Sequence, residues 1–470
     1  MGAEALDPAA APRQIDGFTL GEVVHSSAMA SIFRVAGAAA AKPLAFPAII
    51  KLPRIAAGEG ASPLLGFQTE SLILPVLASP HVPRFGGAGD IATNPYLVIE
   101  WIEGTSLEKI VRNAPLAAGE VARLGAAVAD ALHSIHRQDT IHHDLKPENV
   151  IIRPSGEAVL IDFGMAHHAR LPDLLAEQRR SAAGSAPYVS PEQVSGIRSD
   201  LRSDLFALGV MLYEMATGKL PFGAPQTVAG LRDRLWLDPA PPRQLVGDVP
   251  HWLQQIICGC LEPVAAARYQ SAAHVAFDLR HPEDVALDAR AYRQRRAGVL
   301  GQLQRWWKAR SGASAPLGAR TRDAPVVMVA VDTMHPEDPR HDAIRGATER
   351  VLSLSADFRL ICVSVVHGER VGGQPGAPGI HLEHLVRLQQ WVAPLALPAG
   401  RVSLHVMEAF SASATLLEFA RNNHVDLIVI GGPAPEQQTL AWWRSVASGV
   451  TANAACSVLV VRNPADRDAE

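Results

Sequence analysis

Apolar positions between Phe18 and about Val35 fall into two short runs, a pattern that predicts a β-hairpin. PAIIKLP (47–53) and PYLVIEWIEG (95–104) read as short strands bounded by Pro and Gly. Between Gly119 and Arg137 the period changes: Val121, Leu124, Val128, Ala131, Leu132 and Ile135 recur at three- and four-residue intervals, which predicts a helix. AVLIDFG (158–164) reads as a buried strand running into a glycine, and the nearly continuous apolar stretch 204–217 as a helix buried on all sides. A strand-rich start and a helix-rich body imply a small β lobe and a larger α lobe. From Val326 the pattern changes again. VVMVAVD, FRLICVSVV, VSLHVM, DLIVIGG and SVLVVR are β-branched strands, with helical stretches at 340–353, 381–393 and 411–423 between them. Strand alternating with helix predicts a parallel α/β sheet.

Composition adds limits to this picture. At 470 residues the chain is long for one domain, and 48% hydrophobic against 19% charged residues supplies material for packed cores. A formal net charge of -4 does not point to nucleic acid as the partner of the whole chain. Cys258, Cys260, Cys362 and Cys456 are too few and scattered for a disulfide framework, so a reducing cytoplasm is the expected location. MGAEALDPAA lacks the basic and apolar regions of a signal peptide, and no apolar run reaches the ~18–20 residues that span a bilayer. Residues 287–322 carry nine Arg or Lys against Asp288 alone, with Val299, Leu300, Leu303, Trp306 and Trp307 as one helical stripe. This stripe reads as an interdomain helix packed on one of its own domains; peripheral contact with an anionic membrane or an acidic partner is the alternative. The expected organisation is a tail (1–14), a first domain (15–281), a basic linker (282–324) and a second domain (325–464).

The sharpest signal is His142-His143-Asp144-Leu145-Lys146-Pro147-Glu148-Asn149, followed by Asp162-Phe163-Gly164. Phosphoryl transfer needs metal-bridged phosphates, a positioned hydroxyl and cations where charge develops. An Asp with an Asn five residues later, and a second Asp after a strand, supply acceptor and metal ligands for that chemistry. At these residues, and over about 17–281, the sequence resembles the protein kinase family. The resemblance implies Asp144 as acceptor of the substrate proton, Lys146 as neutraliser of the moving phosphate, and Asn149 and Asp162 as Mg2+ ligands. It further implies that Lys51 holds the α- and β-phosphates of ATP, with Glu70 on the following helix as its partner. Ile99 resembles the gatekeeper, and Glu100 and Ile102 would offer backbone groups to adenine. Gly184-Ser185-Ala186-Pro187-Tyr188 resembles the segment that receives the substrate residue. Ser190-Pro191-Glu192, Asp204 and Arg268 match the family's structural motifs, and DLKPEN resembles its Ser/Thr-directed members. Six histidines (133, 136, 142, 143, 167 and 168) crowd this region, but they complete no metal-ligand spacing.

Two departures stand out. Where a G-x-G-x-x-G-x-V loop is expected, the chain reads His25-Ser26-Ser27-Ala28-Met29-Ala30-Ser31-Ile32, with His25, Ser27 and Ala30 in the glycine positions. Losing glycine weakens backbone contact with phosphate or stiffens the loop. His143 stands before Asp144 in place of the arginine that pairs with a phosphorylated activation segment, so activity is not expected to depend on that phosphorylation. Ser181, beside Arg179 and Arg180, is the candidate phosphorylation site.

Residues 325–462 resemble the universal stress protein family, through Val329-Ala330-Val331-Asp332, VDLIVIGG and ACSVLVVR. ATP-binding members carry a glycine pattern that here reads Gly431, Ala434, Arg444 and Ser445, with Trp442 and Trp443 adding bulk, so ATP binding by this domain is left open. The expected fold class is multidomain α+β and α/β: a bilobal protein kinase fold, then a universal stress protein-like doubly wound parallel sheet. The expected function is ATP- and Mg2+-dependent phosphorylation of Ser/Thr in protein substrates, with homodimerisation through the C-terminal domain. The alternatives are a pseudokinase scaffold, or a C-terminal domain that is the main functional unit under kinase control.

Overall fold

In the computed structural model, described for residues 14–27, 30–39, 43–54, 62–90, 94–178, 185–225, 227–295, 324–354, 357–366, 380–409, 411–432 and 446–462, the short apolar runs of the first hundred residues become a sheet. Its strands are β1 (Gln14–Ile15), β2 (Phe18–Ser26), β3 (Ala30–Ala38), β4 (Ala48–Pro53), β5 (Phe85–Ala88) and β6 (Leu97–Glu100), in antiparallel order β1-β2-β3-β4-β6-β5. Alternation sorts side chains onto two faces. Phe33, Ile50, Leu52, Tyr96 and Val98 close one apolar cluster, while Leu97 and Ile99 join the core of the next lobe. Helix α1 (Ser62–Ile73) follows β4.

The α lobe runs β7 (Thr105–Ser106), α2 (Leu107–Val111), α3 (Ala118–His136), β8 (Thr140–Ile141), β9 (Val150–Ile152), β10 (Ala158–Leu160), β11 (His167–His168), α4 (Leu174–Gln178), α5 (Pro191–Val194), α6 (Arg202–Thr217), α7 (Val228–Arg232), α8 (Pro242–Leu245), α9 (His251–Cys260) and α10 (Ala272–Arg280). Helix α3 buries the stripe predicted for it, and α6 buries nearly every residue. Gly125 of α3 and Gly209 of α6 permit close packing: a Cβ would lie 2.4 Å from Leu212 Cδ2 in the first case and 2.6 Å from Cys260 Cβ in the second. Beyond α10 the chain stays on this lobe, where Gln254 donates to the carbonyls of Arg290, Ala291 and Arg293. The predicted stripe at 299–307 lies outside the described residues, as do Ala28, Met29, Ser181, Gly184, Ala434 and 442–445.

The second domain alternates β12 (Val326–Ala330), α11 (Arg340–Leu352), β13 (Arg359–Val366), α12 (Ile380–Val392), β14 (Val402–Glu408), α13 (Ala412–Asn422), β15 (Leu427–Gly431), α14 (Val446–Asn453) and β16 (Ser457–Val461). All pairings in its sheet are parallel, in the order β14-β13-β12-β15-β16, with separate apolar clusters on its two faces. The order reverses at β12, so a crevice opens beyond its C-terminal end. Among the described residues no helix is long and apolar enough to cross a membrane.

Candidate active site

Lys51 sits in β4 between buried Ile50 and Leu52, so alternation turns it to the opposite face, toward the α lobe. Cross-strand register puts it between Ile32 and Leu97, with His25 opposite Ile32. Helix α1 brings in Glu70, 1% exposed, whose Oε2 lies 2.6 Å from Lys51 Nζ. Lys51 Nζ also lies 3.0 Å from Asp162 Oδ1, and Glu70 Oε1 accepts the Phe163 amide at 3.2 Å. Burial works against the Lys51 ammonium, but Asp162 and then Glu70 outweigh it and hold its pKa above the ordinary lysine value. The same ammonium holds Asp162 below the usual carboxylate range. Asp162 adopts φ 66°, a left-handed conformation unusual outside glycine, and keeps 46% of its side chain accessible.

The catalytic-loop candidates gather around Asp204 of α6. Its carboxylate accepts the amides of His142 (2.9 Å) and His143 (3.0 Å) and pairs with His136 Nε2 at 2.9 Å. The His142 ring packs 5.0 Å from that of Phe163. Its Nδ1 accepts the Asp144 amide, so Nε2 carries the proton and donates to the Ile161 carbonyl. Asn149 Nδ2 donates to the Asp144 carbonyl (2.8 Å) and carboxylate (3.1 Å), and Lys146 Nζ lies 3.3 Å from Asp144 Oδ2. The six candidates thus form two sets, Lys51–Glu70–Asp162 and Asp144–Lys146–Asn149, joined through His142, which packs on Phe163 and receives the Asp144 amide.

The adenine-side candidates flank it. Ile99 and Ile102 are buried; the Glu100 amide donates to the Arg84 carbonyl and the Trp101 amide to that of Pro47, which fixes the strand between the lobes. Burial would raise the Glu100 carboxyl, but hydrogen bonds from Arg84 and Arg153 bring it below its ordinary value. At the opposite wall the Ser27 amide donates to the Ala30 carbonyl at 2.9 Å, and Ser27 Oγ accepts the Ala30 amide at 3.2 Å. A hydroxyl therefore closes the turn in which glycines were expected.

Several contacts escaped the sequence analysis. Ser185 donates its amide to Asp144 Oδ1 at 2.7 Å and receives Lys146 Nζ on its hydroxyl at 2.8 Å. Gln193, inside the Ser190 capping box, donates to the His143 carbonyl. Arg54 ties Ser26 and Ser31 across the β2–β3 hairpin. Burial, with Arg198, takes His143 down to about 3, so its ring is neutral and donates Nε2–H to the Arg198 carbonyl. Arg198 itself grips Asp173, which also meets His167 at 3.2 Å. No signal near these residues in the chain marks their partners.

For Mg2+ the donor set is suitable: Mg2+ binds through one or two protein oxygens plus substrate phosphates, and Asn149 and the accessible Asp162 could supply them. A second cleft, of 810 Å³, opens at the crevice beyond β12, lined by Asp332, His335, Asp338, Arg340, Gly431 and Gly432 among others. Arg340 pairs with Asp338 and donates to the Gly432 carbonyl at 2.9 Å, so a cation of the chain stands on the glycine side of this cleft.

A family model described as "Protein kinase domain" matches residues 51–278, beginning at Lys51, and one described as "Universal stress protein family" matches residues 325–462. A probable serine/threonine-protein kinase of Clostridium perfringens is 33% identical over 214 residues, 45% of this chain and 31% of that protein. The serine/threonine-protein kinase PknB of Mycolicibacterium smegmatis is 30% identical over 317 residues, 66% of this chain and 49% of that one. PknB of Mycobacterium tuberculosis is 28% identical over 269 residues, 56% and 42% respectively. The chain thus spans half or less of the length of these three relatives.

Proposed function

We propose that this chain, whose residues 51–278 form a protein kinase domain and whose residues 325–462 form a domain of the universal stress protein family, transfers the γ-phosphate of ATP to Ser or Thr hydroxyls of proteins. The observation that carries this reading is the meeting of two sets, Lys51–Glu70–Asp162 and Asp144–Lys146–Asn149, across His142 and Phe163. There, Asp144 accepts the proton of the attacking hydroxyl, oriented by the Asn149 amide. Lys146 stands beside Asp144, where negative charge develops on the moving phosphoryl group. Lys51, locked by Glu70, positions the α- and β-phosphates. Mg2+, held by Asn149 and Asp162, would neutralise the phosphate oxygens. Ile32, Ile99 and Ile102 enclose the adenine, with His25, Ser27 and Ala30 along the phosphates.

Asp144→Asn keeps the volume and removes the acceptor charge. It is expected to lower autophosphorylation ~10²-fold or more while nucleotide affinity stays near wild type. Autophosphorylation at the wild-type rate would overturn the assignment. The hydroxyl-closed turn at Ser27 favours one second reading, a pseudokinase that binds nucleotide without transferring phosphate. Nucleotide binding by a wild-type protein that shows no transfer would select it.

The C-terminal domain joins two copies through β16, an edge strand paired only with β15 among the described residues. A cytoplasmic location supplies ATP and keeps the four cysteines, all free, reduced.

A further inference from the structure

We infer that the C-terminal domain is a docking surface for the activation segment of the same chain. It grips Glu177 with Arg359 and His405, and the grip supports phosphoryl transfer by steadying the helix that carries Glu70. The inference deepens the kinase reading above and rests on it.

Glu177 lies in α4, between the Asp162-Phe163-Gly164 turn and Ser185, and its side chain is 3% exposed. A carboxylate so buried needs paired partners. Those recorded among the described residues come from the other domain: His405 Nε2 of β14 at 2.5 Å, fully buried, and the Arg359 guanidinium of β13. Burial, with Arg359 nearby, takes His405 down to about 3, so the neutral ring donates Nε2–H and Arg359 supplies the positive charge. Asn423 adds a bond from Nδ2 to the Glu177 carbonyl at 3.4 Å. Gly400 lies against Leu171, with a Cβ there 3.2 Å from its Cδ2.

The grip extends to the catalytic helix. Leu64, in the first turns of α1, is buried in the apolar cluster of the second domain with Leu385, Leu388 and Trp391. Its neighbour Leu65 packs on Leu174 and Leu175 of α4. Helix α1 is therefore held by α4 and by the C-terminal domain together, and Gly66 faces Gly164, with a Cβ 3.5 Å from its carbonyl oxygen. This docked arrangement is the one in which the Lys51–Glu70 pair is formed and Ser185 meets Asp144 and Lys146. The segment is anchored by carboxylates at both ends of a short stretch, Asp173 on Arg198 and Glu177 on Arg359. His143, in place of an arginine, leaves the catalytic loop without the usual receiver for an activating phosphate.

The test uses the full chain in three forms: wild type, Arg359→Met, and Arg359→Met with Glu177→Gln. The first change leaves the Glu177 charge buried and unpaired. The second replaces that charge by an amide that still accepts from His405. Amide hydrogen exchange over 62–73 and 174–178 is expected to rise in the single variant and return toward wild type in the double. The phosphorylation rate is expected to fall ~10-fold and then recover. Both variants carry the same Arg359→Met change, so rescue separates the ion pair from a folding defect of the domain. Unchanged exchange in the single variant, no rescue in the double, or an unchanged or faster phosphorylation rate overturns the inference. A wild-type protein without transferase activity would refute the kinase reading instead, while the exchange measurement still decides the docking.

Discussion

Asp204 receives two backbone amides and the His136 ring while only 1% exposed, so it braces the loop that carries Asp144. Burial alone would raise its carboxyl; the hydrogen bond from His136 leads the interactions that bring it down to about 2. A folded-state pKa below the ordinary value of about 3.9 contributes stability that is complete above that value and lost as pH falls through the folded one. The contribution is roughly 2 kcal/mol at neutral pH. Asp204→Asn should therefore lower unfolding stability by about 1–3 kcal/mol at pH 7, with the gap to wild type closing between about pH 4 and pH 2. Urea unfolding across that range measures it; a gap independent of pH would refute the charge's role. Lys51→Ala and Asp162→Ala remove two sides of the same contact. Each is expected to cost ~10²-fold or more in kcat/KM, and wild-type rates in both would sink the proposed site.

The element that departs most from expectation is the β2–β3 turn. Side chains at 27 and 30 restrict the approach of backbone to phosphate, yet Ser27 Oγ closes the turn and Arg54 braces both strands behind it. The two effects separate by position. Ser27→Ala removes the closure and should raise the KM for ATP about 2–10-fold, the worth of one net hydrogen bond. Ala30→Gly keeps the hydroxyl and frees the backbone, so it should lower that KM. Steady-state kinetics on the two variants decides; an unchanged or lower KM in Ser27→Ala would show that the turn does not act through this bond.

At the scale of the whole molecule, β16 ends the sheet of the second domain among the described residues. Leu459 is 37% exposed on a strand that pairs only with β15 among the described residues, an arrangement that must be covered or charged to avoid indiscriminate pairing. An isologous pairing closes at two copies and would raise the effective concentration of the kinase domains for each other. Light scattering of the full chain should give a dimer, and Leu459→Lys a monomer. A wild-type monomer at micromolar concentration, or a dimer untouched by the charge, would refute this route of assembly.

The order of elements and the chemical inventory were legible because both are written at short range. A 3.6-residue period marks α3, strand–helix alternation marks the second domain, and Asp144, Lys146 and Asn149 lie within one loop. Lys51 and Glu70 could be named from the same motifs, although their contact spans 19 positions. Partners without a motif were not legible. Polar residues default to the surface, so nothing around Glu177 announces a buried carboxylate, and its meeting with His405 crosses 228 positions. The same holds for Arg198 with Asp173 and for the hydroxyl of Ser27, where the sequence shows only a missing glycine. Local patterning decides which residues become helix, strand or catalytic loop. Which buried charge finds which counter-charge depends on how distant elements pack, and that was settled only when the lobes and the second sheet came together.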